Sequence, residues 1–183
     1  MQKCLLLLFF FCCGLSASAQ WTVAPELGLS AFRRNMYEWR PAVKVGATVE
    51  YQFHSAMSVE SGVYYTQRGF SLMDQYLSEY GALEEPSLVR HMIQVPLRAT
   101  FSYPLNKDTR IFLGAGPYLG IYFANNWRNT ILHEHDDYGN TAEIGMSLCA
   151  GIEVKRFYVR LGYDRSFNGC IYNAATITFG YRF

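Results

Sequence analysis

Residues 144–154 of this 183-residue chain read IGMSLCAGIEV, a run in which every second side chain is apolar. The positions between them hold glycine, serine, cysteine and glutamate. A period of two sends alternate side chains to opposite faces of a β-strand, whereas a helical face repeats every three or four residues. The run therefore predicts a strand with one apolar face and one polar face.

The same alternation recurs along the chain and predicts eight strands. After the N-terminal apolar run over residues 4–13, no apolar stretch approaches the length of a transmembrane helix. Strands are therefore the only predicted way for the rest of the chain to cross a membrane. The apolar faces of the eight strands are read from Trp21, Val23, Leu27, Leu29; Val43, Val45, Ala47, Val49, Tyr51, Phe53; Met57, Val59, Val63, Tyr65; Ile93, Val95, Leu97, Ala99, Phe101, Tyr103; Ile111, Leu113, Ala115, Leu119, Ile121, Phe123; Ile144, Met146, Leu148, Ala150, Ile152, Val154; Phe157, Val159, Leu161, Tyr163; and Ile177, Phe179, Tyr181, Phe183.

The connections between these strands alternate in length. A meander of antiparallel strands places all short turns at one end and all longer loops at the other. Short periplasmic turns and longer outer loops are typical of bacterial outer-membrane barrels. The fold class is therefore predicted as all-β, an eight-stranded antiparallel up-and-down transmembrane β-barrel. Its predicted short connections are 54–56, 104–108 and 155–156, and its longer ones are 33–41, 71–90, 124–140 and 167–172.

Soluble barrels such as lipocalins show the same alternation, so alternation alone does not indicate which face is enclosed. The distribution of glycine does. Glycine weakens a strand unless close packing requires it, and the narrow interior of an eight-stranded barrel does require it. The polar faces are therefore predicted to enclose the lumen, and the apolar faces to contact lipid. The ten polar-face glycines are Gly28, Gly46, Gly62, Gly114, Gly116, Gly120, Gly145, Gly151, Gly162 and Gly180.

Charged side chains follow the same division, six acidic against six basic, and the predicted apolar faces carry none. Enclosed charges must be paired, because removing an unpaired ion from water costs several kcal/mol. Glu60 and Arg98 face inward on adjacent predicted strands and are the first expected pair. The polar faces also carry Glu26, Arg68 and Arg110. The residues expected in structural lumen ion pairs are Glu60, Arg98, Glu50, Lys44, Glu143, Glu153, Arg160, Asp164 and Arg182.

Outward aromatic side chains are predicted to form two girdles around an apolar band, because amphipathic rings favour the level of the lipid headgroups. One girdle lies near the short turns and the other near the longer loops. The girdle residues are Trp21, Tyr51, Phe53, Phe101, Tyr103, Phe157, Phe179, Tyr181 and Phe183 at the first level, and Tyr65, Phe123 and Tyr163 at the second.

Composition and the N-terminus indicate an exported protein that does not bind nucleic acid. With 16 Lys+Arg against 15 Asp+Glu, the chain lacks the basic excess that phosphate backbones select. Lys3, an apolar run over Cys4–Cys13 and the small-residue triplet at 17–19 predict a cleaved signal peptide at residues 1–19. The barrel domain is then predicted to cover residues 20–183.

Several short motifs resemble the PorT-like outer-membrane β-barrel family of Bacteroidota. They are Val59–Tyr65 with Gly69, Ile93–Leu97, Gly114–Tyr118 and Arg160–Tyr163. The resemblance implies an eight-stranded barrel in the outer membrane of a Gram-negative bacterium and implies no activity. The founding member of that family is associated with protein secretion. The alternating, aromatic C-terminus, with Tyr181 and Phe183, also resembles the signal that the outer-membrane insertion machinery reads.

Prolines and cysteines give two further expectations. Pro96 and Pro117 lie inside predicted central strands, where each removes a ladder hydrogen bond, so a β-bulge is expected at each. Cys149 is predicted to face the lumen and Cys170 to lie in the last outer loop. That separation exceeds the roughly 7 Å between Cα atoms that a disulfide allows, so two free thiols are expected.

Candidate chemistry is sparse. His133, His135, Asp136 and Asp137 form the densest group of potential metal ligands, although their spacing matches no zinc signature. They suit either a metal site or a solvated loop, and no metal or cofactor is expected.

His91, with Ser87 and Glu85 nearby, is the candidate base of an outer-membrane enzyme. Loop aromatics suit either a partner-binding patch or packing over the barrel mouth; they are Tyr37, Trp39, Tyr76, Tyr80 and Trp127.

The leading functional hypothesis is a small non-enzymatic outer-membrane barrel with a side-chain-filled lumen. Its role is structural, or lies in interactions of its outer loops, including an accessory role in secretion or envelope integrity. The expected contacts are outer-membrane lipid, the insertion machinery and an unidentified loop partner. One alternative is an outer-membrane enzyme acting on lipid A or peptides at the rim. The other is a soluble exported barrel that binds a ligand.

Overall fold

The predicted strands all form, and they pair into a closed antiparallel barrel. The computed structural model describes residues 21–34, 39–71, 87–128, 141–168 and 172–183. Each strand pairs with the next along the chain, and the last pairs with the first, which confirms the predicted fold class. The strands are β1 (Trp21–Arg34), β2 (Arg40–His54), β3 (Met57–Ser71), β4 (Ser87–Pro104), β5 (Thr109–Arg128), β6 (Ala142–Val154), β7 (Phe157–Ser166) and β8 (Tyr172–Tyr181).

The short turns lie together at one end, here called the turn end. They are formed by Ser55–Ala56, the segment 105–108 and Lys155–Arg156. The opposite end, where the longer connections lie, is called the loop end. No helix among the described residues is long and apolar enough to cross a membrane.

The barrel encloses its polar face and exposes its apolar face. Leu113 and Leu161 are 61% and 57% exposed, whereas Glu60 and Arg68 are each 1% exposed. An apolar surface of this extent is unfavourable in water and is matched by hydrocarbon. The orientation inferred from glycine and charge is the orientation that the structure shows, and it favours a membrane barrel over a soluble one.

The strands are longer at the loop end than the alternation predicted. β4 begins at Ser87, and β5 continues to Arg128, because backbone pairing continues where side chains no longer alternate in polarity. The predicted loops 71–90 and 124–140 are therefore too long. The extension also brings Arg33 and Arg165 onto the outward face, so the prediction of an uncharged outer face is wrong at the loop end.

The β-bulges predicted at Pro96 and Pro117 are wrong. Pairing instead skips two residues on each strand beside each proline and resumes in the same register. The two unpaired positions on each strand absorb the missing proline N–H without an inserted residue, so the register beyond them is unchanged. The pairs that flank the two gaps are Ser61–Leu97 and Tyr64–Gln94 for the first, and Pro96–Tyr118 and Ala99–Ala115 for the second.

Aromatic rings on the outward face meet at both ends of the barrel. At the turn end, the ring of Tyr181 lies 5.0 Å from those of Phe157 and Phe183, measured between centroids. At the loop end, the rings of Tyr65 and Phe123 are 6.3 Å apart. These contacts lie at the two levels where the girdles were predicted, on either side of an aliphatic band.

Cys149 lies on the lumen face of β6, is 7% exposed and carries a free thiol. Cys170, its only possible partner after the predicted signal cleavage, lies outside the described residues. The predicted free state of Cys149 is thus what the structure contains.

Candidate functional site: the closed lumen

Twelve charged side chains of the lumen, six acidic and six basic, form ion pairs at three levels along the barrel axis. Each level contains two acids and two bases, so each is neutral by itself. Arg90 is buried on the lumen face of β4, with its guanidinium carbon 3.7 Å from the centre of the Tyr122 ring. The central cluster is Glu26, Glu60, Arg98 and Arg160; the loop-end cluster is Lys44, Arg68, Glu143 and Asp164; the turn-end cluster is Glu50, Arg110, Glu153 and Arg182.

The central cluster joins β1, β3, β4 and β7 across the lumen. Arg98 Nη2 lies 2.6 Å from Glu60 Oε1, and Arg160 Nη1 lies 2.8 Å from Glu26 Oε1. Arg160 also pairs with Glu60, so this carboxylate binds two guanidinium groups. Both arginines donate hydrogen bonds to the Tyr64 hydroxyl, at 3.1 Å from Arg160 and 3.4 Å from Arg98. The four charges and this hydroxyl thus form one continuous network of contacts across the lumen.

In the loop-end cluster, Arg68 bridges two acids on the opposite wall. Its Nε lies 3.7 Å from Glu143 Oε1, and its Nη2 lies 3.5 Å from Asp164 Oδ2. Lys44 Nζ is 3.4 Å from the same Asp164 oxygen. Gln94 Nε2 donates to that oxygen at 3.0 Å. Asp164 thus gathers donors from β2, β3 and β4.

The turn-end cluster closes the other mouth. Arg182 Nε lies 2.7 Å from Glu153 Oε2, and Arg182 also pairs with Glu50. Arg110 Nη2 lies 3.0 Å from Glu153 Oε2. The hydroxyl of Ser58 donates to Glu50 Oε1 at 2.5 Å. Arg182 follows the last residue of β8, so the C-terminal segment contributes a cation to this end of the lumen.

The register explains why cations must reach across the barrel. Glu50 and Glu60 are direct cross-strand neighbours on β2 and β3, and like charges in that position repel. Each carboxylate is compensated from another wall, Glu50 by Arg182 and Glu60 by Arg160. Removal of either cation would leave two adjacent buried carboxylates with less compensation.

All nine residues expected in lumen ion pairs lie in the three clusters, and Glu26, Arg68 and Arg110 complete them. The predicted set did not include the lumen tyrosines that hydrogen-bond to the acids. Tyr118 donates to Glu143 at 2.5 Å, and Tyr158 donates to Glu26 at 2.6 Å. These tyrosines occupy polar-face positions, so their place in the alternation was the available signal. The lumen tyrosines with such bonds are Tyr118, Tyr122 and Tyr158, whereas Tyr64 accepts from Arg98 and Arg160.

His91, the candidate catalytic base, lies on the outward face of β4. Its Nδ1 is 2.7 Å from the Tyr65 hydroxyl, and its ring lies 6.1 Å from that of Phe123. The strand begins four residues earlier, at Ser87, so His91 lies within β4 and not at its loop-end terminus. Glu85 lies outside the described residues.

Several other predicted positions lie in parts of the chain that the structure does not describe. These are the signal peptide 1–19, the candidate metal ligands His133, His135, Asp136 and Asp137, and the loop aromatics Tyr37, Tyr76 and Tyr80. Among the described residues, no group of three or more His, Cys, Asp or Glu side chains could hold a metal ion.

Comparison with known proteins agrees with the barrel fold. The family model described as outer membrane protein beta-barrel domain matches residues 16–172. A search of curated proteins finds no match.

Three solved structures share the fold. Outer membrane protein OprG from Pseudomonas aeruginosa has a TM-score of 0.57 and 11% identity, over 90% of this chain and 96% of its own. Neisserial surface protein A has a TM-score of 0.56 and 11% identity, over 88% of this chain and 95% of its own. Ail, the attachment invasion locus protein of Yersinia pestis, has a TM-score of 0.51 and 14% identity, over 90% of this chain and 98% of its own.

Proposed function

The chain belongs to the family of outer membrane protein beta-barrel domains, and from that membership we propose that it is a non-conducting barrel that presents its longer loops outside the cell. It is a small outer-membrane β-barrel and lies in membrane lipid. We propose that the turn end faces the periplasm, in keeping with the usual placement of short turns in such barrels. The function then lies in the surface that the loop end displays.

The observation that carries this proposal is the triple closure of the lumen. Each level is crossed by ion pairs whose members come from different walls, such as Lys44 with Asp164 and Arg160 with Glu26. Eight strands leave an interior only wide enough for side chains. A solute would have to break buried ion pairs at three successive levels.

The purified barrel is therefore expected to show no porin-sized conductance steps in planar lipid bilayers. A sixteen-stranded porin in the same lipid is the positive control, since barrels of that size keep an aqueous channel. Repeated, voltage-stable steps of porin size from the wild-type protein would refute a closed lumen.

We further propose that the protein is not an enzyme. His91, the one histidine considered as a base, lies on the lipid-facing side between aromatic rings. His91 Nδ1 lies beside the phenolic hydroxyl of Tyr65. The oxygen of this hydroxyl also accepts a hydrogen bond from Gln67 at 3.1 Å. This arrangement suits anchoring at the headgroup level.

The finer assignments are part of the same proposal. The PorT-like motifs at Val59–Tyr65 and Gly114–Tyr118 support a Bacteroidota relative with an accessory role in protein secretion or envelope integrity. The N-terminal pattern supports export with cleavage after residue 19. The aromatic end, with Tyr181 and Phe183, supports recognition by the insertion machinery.

The longest connection offers a direct test of a loop-based function. Ser71 and Ser87 are cross-strand partners at the ends of β3 and β4, so a two-residue Asn-Gly turn can replace residues 72–86. The shortened barrel is expected to insert normally and to lose its crosslinked protein partners in intact cells. A barrel with the Ser55–Ala56 turn replaced by Asn-Gly is the matched control. Unchanged crosslinking of the shortened protein would remove this loop from the proposed function.

A further inference from the structure

Two arginines on the outward face of the loop end lie in one row across three strands. Arg33 on β1 is the cross-strand partner of Asn173 on β8, and Asn173 is the partner of Arg165 on β7. Both arginines are exposed and lie on the outward side of their strands. Two strand spacings of ~4.8 Å place their backbones roughly 10 Å apart.

This row lies at the level of the lipid headgroups. Tyr163, a girdle residue, is two positions from Arg165 on β7, and its hydroxyl donates to Asn173 Oδ1 at 2.8 Å. Tyrosine marks the boundary between hydrocarbon and headgroups in membrane barrels. The arginines thus lie just beyond the apolar band, where lipid phosphates are found.

Among the described residues, no acid lies on the outward face at the loop end beside these cations. Of the Asp and Glu residues that the structure describes, all face the lumen except Asp108, which lies in a turn at the opposite end. Two like charges in one row are suited to an anionic ligand. Guanidinium groups bind phosphate through paired, charge-assisted hydrogen bonds.

An aromatic surface continues the row to the residue that precedes β2. Trp39 is 44% exposed, and the Arg33 guanidinium carbon lies 4.9 Å from its ring centre. Trp39 also lines a cavity of about 300 Å³, together with Pro41, Gln67 and Val89. An indole face beside an amide suits the apolar face and hydroxyls of a sugar ring, which a simple phospholipid headgroup lacks.

We propose that Arg33, Asn173, Arg165 and Trp39 form a binding site for the phosphorylated sugar headgroup of an outer-leaflet glycolipid. The two arginines bind phosphates, and Trp39 packs against the sugar. The inference rests on the proposed placement of the loop end outside the cell.

The test measures lipid binding to the detergent-purified, folded protein by native mass spectrometry. The probes are bisphosphorylated lipid A, its dephosphorylated form and phosphatidylglycerol. Wild type is expected to bind lipid A more tightly than either other lipid. R33Q and R165Q should each weaken lipid A binding about tenfold, and the double variant about a hundredfold, as expected for lost charge-assisted hydrogen bonds.

The matched control is K155Q/R156Q, which removes the same charge from an exposed turn at the turn end. It should bind lipid A as wild type does. Equal weakening in this control, equal binding of phosphatidylglycerol or the dephosphorylated lipid, or unchanged binding in R33Q/R165Q would overturn the site. Failure of the protein to insert into bilayers at all would instead refute the membrane placement, so the two failures are distinguishable.

Discussion

Replacing Glu60 with alanine is expected to lower the free energy of unfolding by about 3–5 kcal/mol, the cost of breaking a buried ion pair by removing one partner. Glu60 is 1% exposed and binds both Arg98 and Arg160. Its removal leaves two neighbouring guanidinium groups in the centre of the lumen with one carboxylate, Glu26, near them. The measurement is urea unfolding in lipid vesicles, followed by the mobility difference between folded and unfolded protein on unheated gels.

Asp108→Ala is the control for Glu60→Ala, because Asp108 is an exposed acid in the turn between β4 and β5. Loss of an exposed carboxylate usually changes stability by no more than about 0.5 kcal/mol. Equal urea midpoints for the two variants would mean that water, rather than Glu60, compensates the arginines.

Replacing Gly116 with alanine is expected to destabilise the barrel by roughly 3 kcal/mol or more, at or above the usual cost of overpacking. A Cβ at Gly116 would lie 2.9 Å from Arg98 Cα and 3.0 Å from the Leu97 carbonyl carbon, and closer still to the Leu97 oxygen. These are backbone atoms of β4, so two strands would have to separate. Gly116 lies inside the gap in pairing at Pro117, where no ladder hydrogen bonds oppose that separation.

Gly120→Ala on the same strand is the matched comparison. There the new Cβ would meet only the side chain of Met92, with Cγ and Cε at 3.2 Å and Sδ closer. A flexible thioether can change rotamer, so a loss of about 1 kcal/mol is expected. Refolding yield and urea midpoint measure both variants. Similar values for the two would show that strand approach at Gly116 is looser than the structure has it.

The prolines show where alternation stops being informative. It correctly placed Pro96 and Pro117 inside strands, but it could not indicate how the neighbouring strands would absorb a missing N–H. In both ladders two pairs are left out at the proline and the register then resumes unchanged. The register shift of the β4–β5 ladder lies elsewhere, between His91 and Met92.

The sequence predicted which charged residues form the lumen clusters, but only some of the ion pairs between them. Glu60 and Arg98 are direct partners on β3 and β4, and Arg110 and Glu153 are direct partners on β5 and β6, so such pairs follow from hairpin register. The lipid-facing arginines were missed because Arg33 and Arg165 lie beyond the last apolar position of their strands. Only the observed strand ends bring them into one row with Asn173.

By itself, the sequence determined that the chain forms eight two-faced strands and that the face with glycine and charge is enclosed, because a period of two and the composition of each face are local properties. The tertiary structure alone decided which charges meet across the lumen, such as Arg160 with Glu26 and Lys44 with Asp164. Those contacts depend on the stagger at which β8 closes onto β1, and closure is a property of the whole barrel.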